Sequence, residues 1–193
     1  MLNILLVMEN NSNLSDKQKS IFNFIIEYFN LEHLNIIAVP SHSINSIIST
    51  IYKKDSKYLL LSKGFDPVSG LLPAELLFKN NNISVDNIAV LSGPNHAEEI
   101  ILGKTSASVI SSRNESFSKE LQVLFSSENL RIYTSDDVVG VQIGAAVKNV
   151  IAIAAGIAKG LNLGDNALSA LVSRGMNEIV LLSHIYSFRK ETL

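Results

Sequence analysis

The chain has 193 residues, of which 47% are hydrophobic, and a net charge of −2 at pH 7, which is enough apolar material for one or two domains with a packed core. The lack of a basic excess argues against a broad nucleic-acid surface, and the absence of cysteine excludes disulfides, thiolate nucleophiles and Cys-based zinc sites. The four histidines, His33, His42, His96 and His184, are scattered without ligand spacing, so no metal centre is expected.

Leu2–Met8 is apolar but too short for the hydrophobic region of a signal peptide and has no basic residues before it, so a cytoplasmic location is expected. Ile36–Val39 is β-branched and ended by Pro40, which predicts a buried strand leaving a sheet. In Ser43–Tyr52 the residues Ile44, Ile47, Ile48 and Ile51 fall on one helical face. A strand at Tyr58–Leu61, a helix at Leu71–Phe78 and a strand at Ile88–Leu91 come next. They are followed by a helix at His96–Leu102, a strand at Ala107–Ile110, a helix at Phe117–Phe125 and a strand at Leu130–Tyr133. Strands alternating with short helices imply βαβ units, an α/β class and a mainly parallel sheet. After Tyr133 the pattern is helical only, which puts a domain boundary near Thr134–Val138.

Three loops leave the carboxyl ends of these strands, the edge at which open α/β sheets bind ligands. Pro40-Ser41-His42 reads as a turn on its own. Ser62-Lys63-Gly64-Phe65 puts a cation and a glycine at a strand end, where a solvated surface lysine is the plain alternative. In Ser92–Glu99, Asn95 and Glu98 have the spacing of a capping box with Pro94 stiffening the entry. The same helix start presents free N–H groups that favour a phosphate or a polarised hydroxyl.

The stretch Gly140–Glu178 is the most informative. From Val138 to Ala158 its only charged residue is Lys148, followed at once by Asn149. A buried ammonium costs several kcal/mol unless it is paired, neutralised or used. The run is long enough for a membrane span, but its Ala/Gly content, central lysine and missing aromatic belts argue against one. A core helix with a snorkelling lysine stays open. Gly140/Gly144 and Gly156/Gly160/Gly164 recur at four-residue spacing, which lets a backbone or a ligand approach closely. Gly164-Asp165-Asn166-Ala167 predicts a helix stop and restart with Asn166 or Asp165 as cap.

The ordered set Gly140, Gly144, Lys148, Asn149, then Gly164 to Ala167, then Arg174, Gly175 and Glu178 resembles the start of the substrate domain of the NAD(P)-dependent glycerol-3-phosphate dehydrogenases. The strand ends Val39-Pro40-Ser41, Lys63-Gly64 and Ser92-Gly93-Pro94 precede it in the family's order, so the similarity runs from about Asn35 to Leu193. The resemblance implies a partial Rossmann-like parallel sheet over residues 1–133, followed by the first helices of an all-α substrate domain over 134–193. It implies hydride transfer between NAD or NADP and the pair glycerol 3-phosphate and dihydroxyacetone phosphate, for phospholipid synthesis. Lys148 becomes the general base, with Lys63 nearby favouring its neutral form. Lys63 would contact substrate and cofactor, Gly93, Asn95 and Asn149 the substrate, and Ala97 the cofactor. No nucleic-acid partner and no membrane span are expected, and the full-length protein would be a homodimer.

Two departures qualify the resemblance. The first glycine is Gly64, so no G-x-G-x-x-G cradle for a pyrophosphate occurs anywhere in the chain. The family also continues past the position of Leu193 with an Asp and a Ser-Arg-Asn cluster for the substrate phosphate. Among the other cations, Lys104, Arg113, Arg131 and Arg174 are given no role. The expectation is therefore a truncated chain, with a non-catalytic remnant that binds or dimerises as the alternative to an enzyme.

Overall fold

A computed structural model describes residues 34–51 and 55–193. Leu2–Met8, the Asn/Ser/Lys-rich stretch Glu9–Ser20, His33 and Tyr52 lie outside the described residues. In chain order the elements are β1 (Leu34–Ile37), α1 (Ile44–Ile51), β2 (Lys57–Leu60), α2 (Pro73–Glu75, continued by a π-helical turn over Leu76–Asn80) and β3 (Ile88–Ser92). Then come α3 (Ala97–Ile101), β4 (Ser106–Ser112), α4 (Glu115–Phe125) and β5 (Leu130–Ser135), followed by α5 (Val138–Gly160), α6 (Asp165–Leu181) and α7 (Ser183–Tyr186). Every strand expected from the sequence is present, because each is a short run containing β-branched, aromatic or leucine residues and bounded by turn residues.

The strands form one sheet in the order β1-β2-β3-β4-β5. β1–β2, β2–β3 and β4–β5 pair in parallel, but β3 and β4 are antiparallel, with Val90 opposite Ser111 and Ser92 opposite Val109. The sheet is therefore mainly parallel, as expected, with one antiparallel pairing, β3–β4, that the expectation of a parallel sheet over the first 133 residues did not contain. Helix lengths supply the reason. α3 has five residues and climbs about 7.5 Å, far less than the roughly 16 Å length of a five-residue strand, so the chain cannot return to the sheet's opposite edge before β4. α4 has eleven residues, climbs about 16 Å, and completes a parallel crossover to β5.

Side-chain alternation buries both faces. Ile37, Tyr58, Leu60, Ile88 and Val90 pack with Ile44 and Ile48 of α1, with Leu76 and Leu77, and with Val141 of α5. Leu34, Ile36, Leu59, Ala89, Ile110 and Ile132 pack with Phe117 and Leu121 of α4. A third cluster joins Leu72 to Ile143, Ile179 and Phe188, which ties the C-terminal helices to the loop before α2.

Because β4 and β5 run against β3, α5 starts at the edge of the sheet opposite the three ligand-edge loops. The Asp137 carboxylate caps it by accepting from the Gly140 N–H at 2.9 Å. Lys148 comes ten residues after Val138, a rise of about 15 Å, which carries it back to the carboxyl edge of β3. Among the described residues α5 is the helix long and apolar enough to cross a membrane, with a mean hydropathy of 1.8. In this fold it lies along β3 and β4 and then along α6. The α6 cap differs from expectation: Gly164, at φ +85°, holds the N-cap position with no side-chain bond, and Asp165 is the first helical residue. A carboxylate there still faces the positive end of the helix dipole favourably.

Gly175 marks where α5 and α6 touch. A Cβ at this position would stand 2.8 Å from Cγ1 and Cδ1 of Ile151, and a β-branched side chain in a helix has little rotamer freedom with which to yield. Gly175→Ala is expected to destabilise the fold by about 1 kcal/mol net, the overpacking exceeding the gain in helix propensity. Adding Ile151→Val should recover part of that loss in urea unfolding; no recovery would show that the contact is not the cause.

Candidate active site at the carboxyl edge of the sheet

The loops after β1 and β2 are bonded to each other. Ser41 starts a 3-10 turn, and its hydroxyl donates to the Phe65 carbonyl at 2.8 Å. The buried Ser62 hydroxyl donates to the Val39 carbonyl at 2.5 Å. Gly64 then turns the chain at φ +89°, a conformation glycine adopts without penalty. Asp66 closes the loop by accepting from the Ser69 N–H at 2.8 Å and the Ser69 hydroxyl at 2.6 Å, and the hydroxyl bond first of all holds its carboxyl below the usual carboxylate range. Lys63 is thus presented by a loop with little freedom.

The loop after β3 meets it. Gly93 sits at φ +149°, and a Cβ there would come within 2.8 Å of the Ser108 Cα and 2.9 Å of the Ala107 carbonyl oxygen on β4. The capping box expected from Asn95 and Glu98 does not form. The N-cap of α3 is His96, with no side-chain bond to the helix. Asn95 lies one residue too early, and its Oδ1 instead accepts from the Lys63 ammonium at 3.3 Å. Lys63 has a pKa lowered first by burial of its ammonium and then by the positive charge of Lys148. The residue as a whole is exposed, so solvent screening keeps that effect small.

Lys148 completes the cluster. Its ammonium donates to the Gly93 carbonyl at 3.2 Å, from a partly buried position. Gly140, Gly144 and Lys148 follow at four-residue spacing on one face of α5, and all three line a cavity of about 330 Å³ with Ser92, Gly93 and Val109 of the sheet. Met176 and Ile179 of α6 and the segment Thr192–Leu193 close it. Among the described residues lining this cavity Lys148 has the only charged side chain. An apolar pocket holding one ammonium, with a second ammonium close by, suits a small anion that carries a reactive oxygen near Lys148.

Of the residues expected from the sequence, Lys63, Gly93, Asn95 and Lys148 meet at this edge. Asn149 does not join them: it is exposed on the next helical position and is absent from the cavity lining. Ala97 is the first residue of α3, at the same sheet edge. None of the four unassigned cations lines the cavity. Lys104 pairs with Glu99 at 3.0 Å, Arg174 lies 3.6 Å from Glu178, and Arg131 lies over the Tyr133 ring. Arg113 instead lines a separate pocket with Phe78 and Gln142. Sequence reasoning missed Thr192, Leu193, Met176 and Ile179, since only the tertiary course of the chain carries them to α5. For Ile179 the four-residue spacing from Gly175 was the single signal.

Comparison with known proteins gives the family and the fold. Residues 26–118 match the family described as NAD-dependent glycerol-3-phosphate dehydrogenase N-terminus, and residues 137–193 match its C-terminus counterpart. The chain is 43% identical over 150 residues to a glycerol-3-phosphate dehydrogenase [NAD(P)+] of Oceanobacillus iheyensis, an alignment that covers 76% of this chain and 44% of that protein. It is 38% identical over 160 residues to the protein of that name from Clostridium tetani, with 81% and 45% covered. Among solved structures, glycerol-3-phosphate dehydrogenase from Coxiella burnetii superimposes with a TM-score of 0.77 at 32% identity, over 83% of this chain and 50% of that one. The chain spans about half the length of the relatives it matches.

Proposed function

Since the chain belongs to the NAD-dependent glycerol-3-phosphate dehydrogenase family, we propose that it serves hydride transfer between NAD(P)H and dihydroxyacetone phosphate, giving sn-glycerol 3-phosphate for phospholipid synthesis. The observation that carries this reading is the meeting of Lys148 with Gly93, beside Lys63, at the carboxyl edge of β3. Lys148 gives its proton to the substrate's C2 oxygen as the carbonyl becomes a hydroxyl, and takes it back in the reverse direction. Its bond to the Gly93 carbonyl aims the ammonium into the cavity. Lys63 and Asn95, bonded to each other, hold the substrate at the rim.

NAD or NADP supplies the hydride donor and acceptor when bound. The residues at this edge fit its nicotinamide end. Gly64 has positive φ and nothing within 4 Å of where a Cβ would stand, so its backbone is open to close approach beside Lys63. Lys63 and Ala97 would hold that end. A cradle for the pyrophosphate has no counterpart in the sequence, whose first glycine is Gly64. The second reading is a non-catalytic module that binds or dimerises. The exposed apolar residues Val150, Ile153 and Ile157 of α5 would then be its interaction surface. We place the division between a nucleotide-binding part and a helical substrate part at residues 134–138, the protein in the cytoplasm, and the full-length protein as a homodimer.

Incubating the chain with NADH or NADPH and dihydroxyacetone phosphate tests the choice. Loss of nicotinamide absorbance, with glycerol 3-phosphate as product, is the expected outcome of the enzyme reading. No turnover, together with concentration-dependent self-association, would replace it with the second.

A further inference from the structure

Asp137 does more than cap α5. Its Oδ1 accepts from the Gly140 N–H at 2.9 Å, while its Oδ2 accepts from the Arg189 N–H at 2.9 Å and from the Thr192 hydroxyl at 2.6 Å. The neighbouring Asp136 pairs with the Arg189 guanidinium. One carboxylate thus ties the start of α5 to a segment more than fifty residues away in sequence. That segment rests on the glycine face of α5. A Cβ at Gly140 would stand 2.9 Å from Cγ2 of Thr192, and one at Gly144 would stand 3.1 Å from Cδ2 of Leu193. Thr192 and Leu193 are also walls of the cavity that holds Lys148.

We propose that Asp137 is a positioning residue of the active site: by clasping Arg189 and Thr192 it seats Thr192–Leu193 on the Gly140/Gly144 face and so sets the wall beside the Lys148 ammonium. Its effect on substrate rests on the function proposed above; its effect on the wall does not. Asn at position 137 separates the two jobs of the carboxylate. Its side-chain oxygen still caps the helix, but its amide presents N–H to the Arg189 N–H and leaves that donor unpaired. Thr192→Val breaks the clasp from the other side with Asp137 untouched.

The test measures how fast acetic anhydride acetylates Lys148 relative to the exposed Lys159, by mass spectrometry of the whole chain. Asp137→Asn and Thr192→Val are each expected to raise the Lys148 ratio about tenfold, the size of one charge-assisted hydrogen bond. Both should keep the wild-type helical circular dichroism. In turnover, KM for dihydroxyacetone phosphate should rise several-fold while kcat and the KM for the nicotinamide cofactor stay in place. Asp137→Ala, which also loses the cap, should lower Tm and marks what simple helix loss looks like. The inference is overturned if the Lys148 ratio is unchanged in Asp137→Asn and Thr192→Val, or rises only in Asp137→Ala together with the fall in Tm. A wild-type chain without turnover would sink the proposed function alone, because acetylation of Lys148 still decides the clasp.

Discussion

Replacing Lys148 with alanine is expected to lower kcat by about 10²–10⁴-fold, the range associated with loss of a positioned general acid or base. The magnitude separates this role from a binding role. Lys148 is close enough to Lys63 for its charge to lower the Lys63 pKa, so removal of one cation weakens the hold on an anionic substrate. Between partly exposed groups that loss is about 1 kcal/mol, several-fold in KM. The Gly93 carbonyl loses its donor at 3.2 Å, a loss of about 1 kcal/mol in stability. Neither effect reaches a hundredfold in kcat. Lys148→Arg keeps the charge but holds its proton throughout the working pH range, so it should retain substrate binding and fail at proton transfer. Added small primary amines should restore part of the rate of Lys148→Ala and none of that of Lys148→Arg. Equal rates in the wild type and Lys148→Arg would show that the site uses Lys148 as a charge and takes its proton elsewhere.

The sequence carried most of this site because its parts are local. Lys63 and Gly93 close short apolar runs, and Lys148 is the single charge between Val138 and Ala158, so strand and helix periodicity alone put them at element ends or on a known face. What was not legible was long-range. Asn95 has the spacing of a capping box with Glu98, and local pattern favoured that role, yet α3 begins one residue later and Asn95 turns to Lys63, more than thirty residues away. The reversal of β4 likewise depends on how far five helical residues can climb, a comparison of lengths that a hydrophobic pattern does not contain. Asp137 looked like part of a boundary. Its partners Arg189 and Thr192 become visible only when α5, α6 and α7 fold the chain back on itself.

Gly93→Ala is expected to cost about 2–5 kcal/mol of stability, combining overpacking with backbone strain, a large part of what a domain of this size has. The atoms a Cβ would meet are the Ser108 Cα and the Ala107 carbonyl oxygen, at 2.8 and 2.9 Å. Both are backbone of β4, which is pinned to β3 by the Ser92–Val109 pairing and to β5 along its length, so they cannot swing aside as the tip of a side chain would. Relief must come from rotation at residue 93. That rotation turns away the carbonyl which receives the Lys148 ammonium, so the molecules that remain folded should also be poorly active. Gly64→Ala is the matched control. It too has positive φ, at +89°, but nothing stands within 4 Å of its Cβ position, so strain alone applies, at about 1 kcal/mol. Urea unfolding and turnover of both variants separate the effects. If Gly93→Ala were no worse than Gly64→Ala, β4 would have to yield more easily than its pairing implies, and the close approach at Gly93 could not be what fixes the acceptor for Lys148.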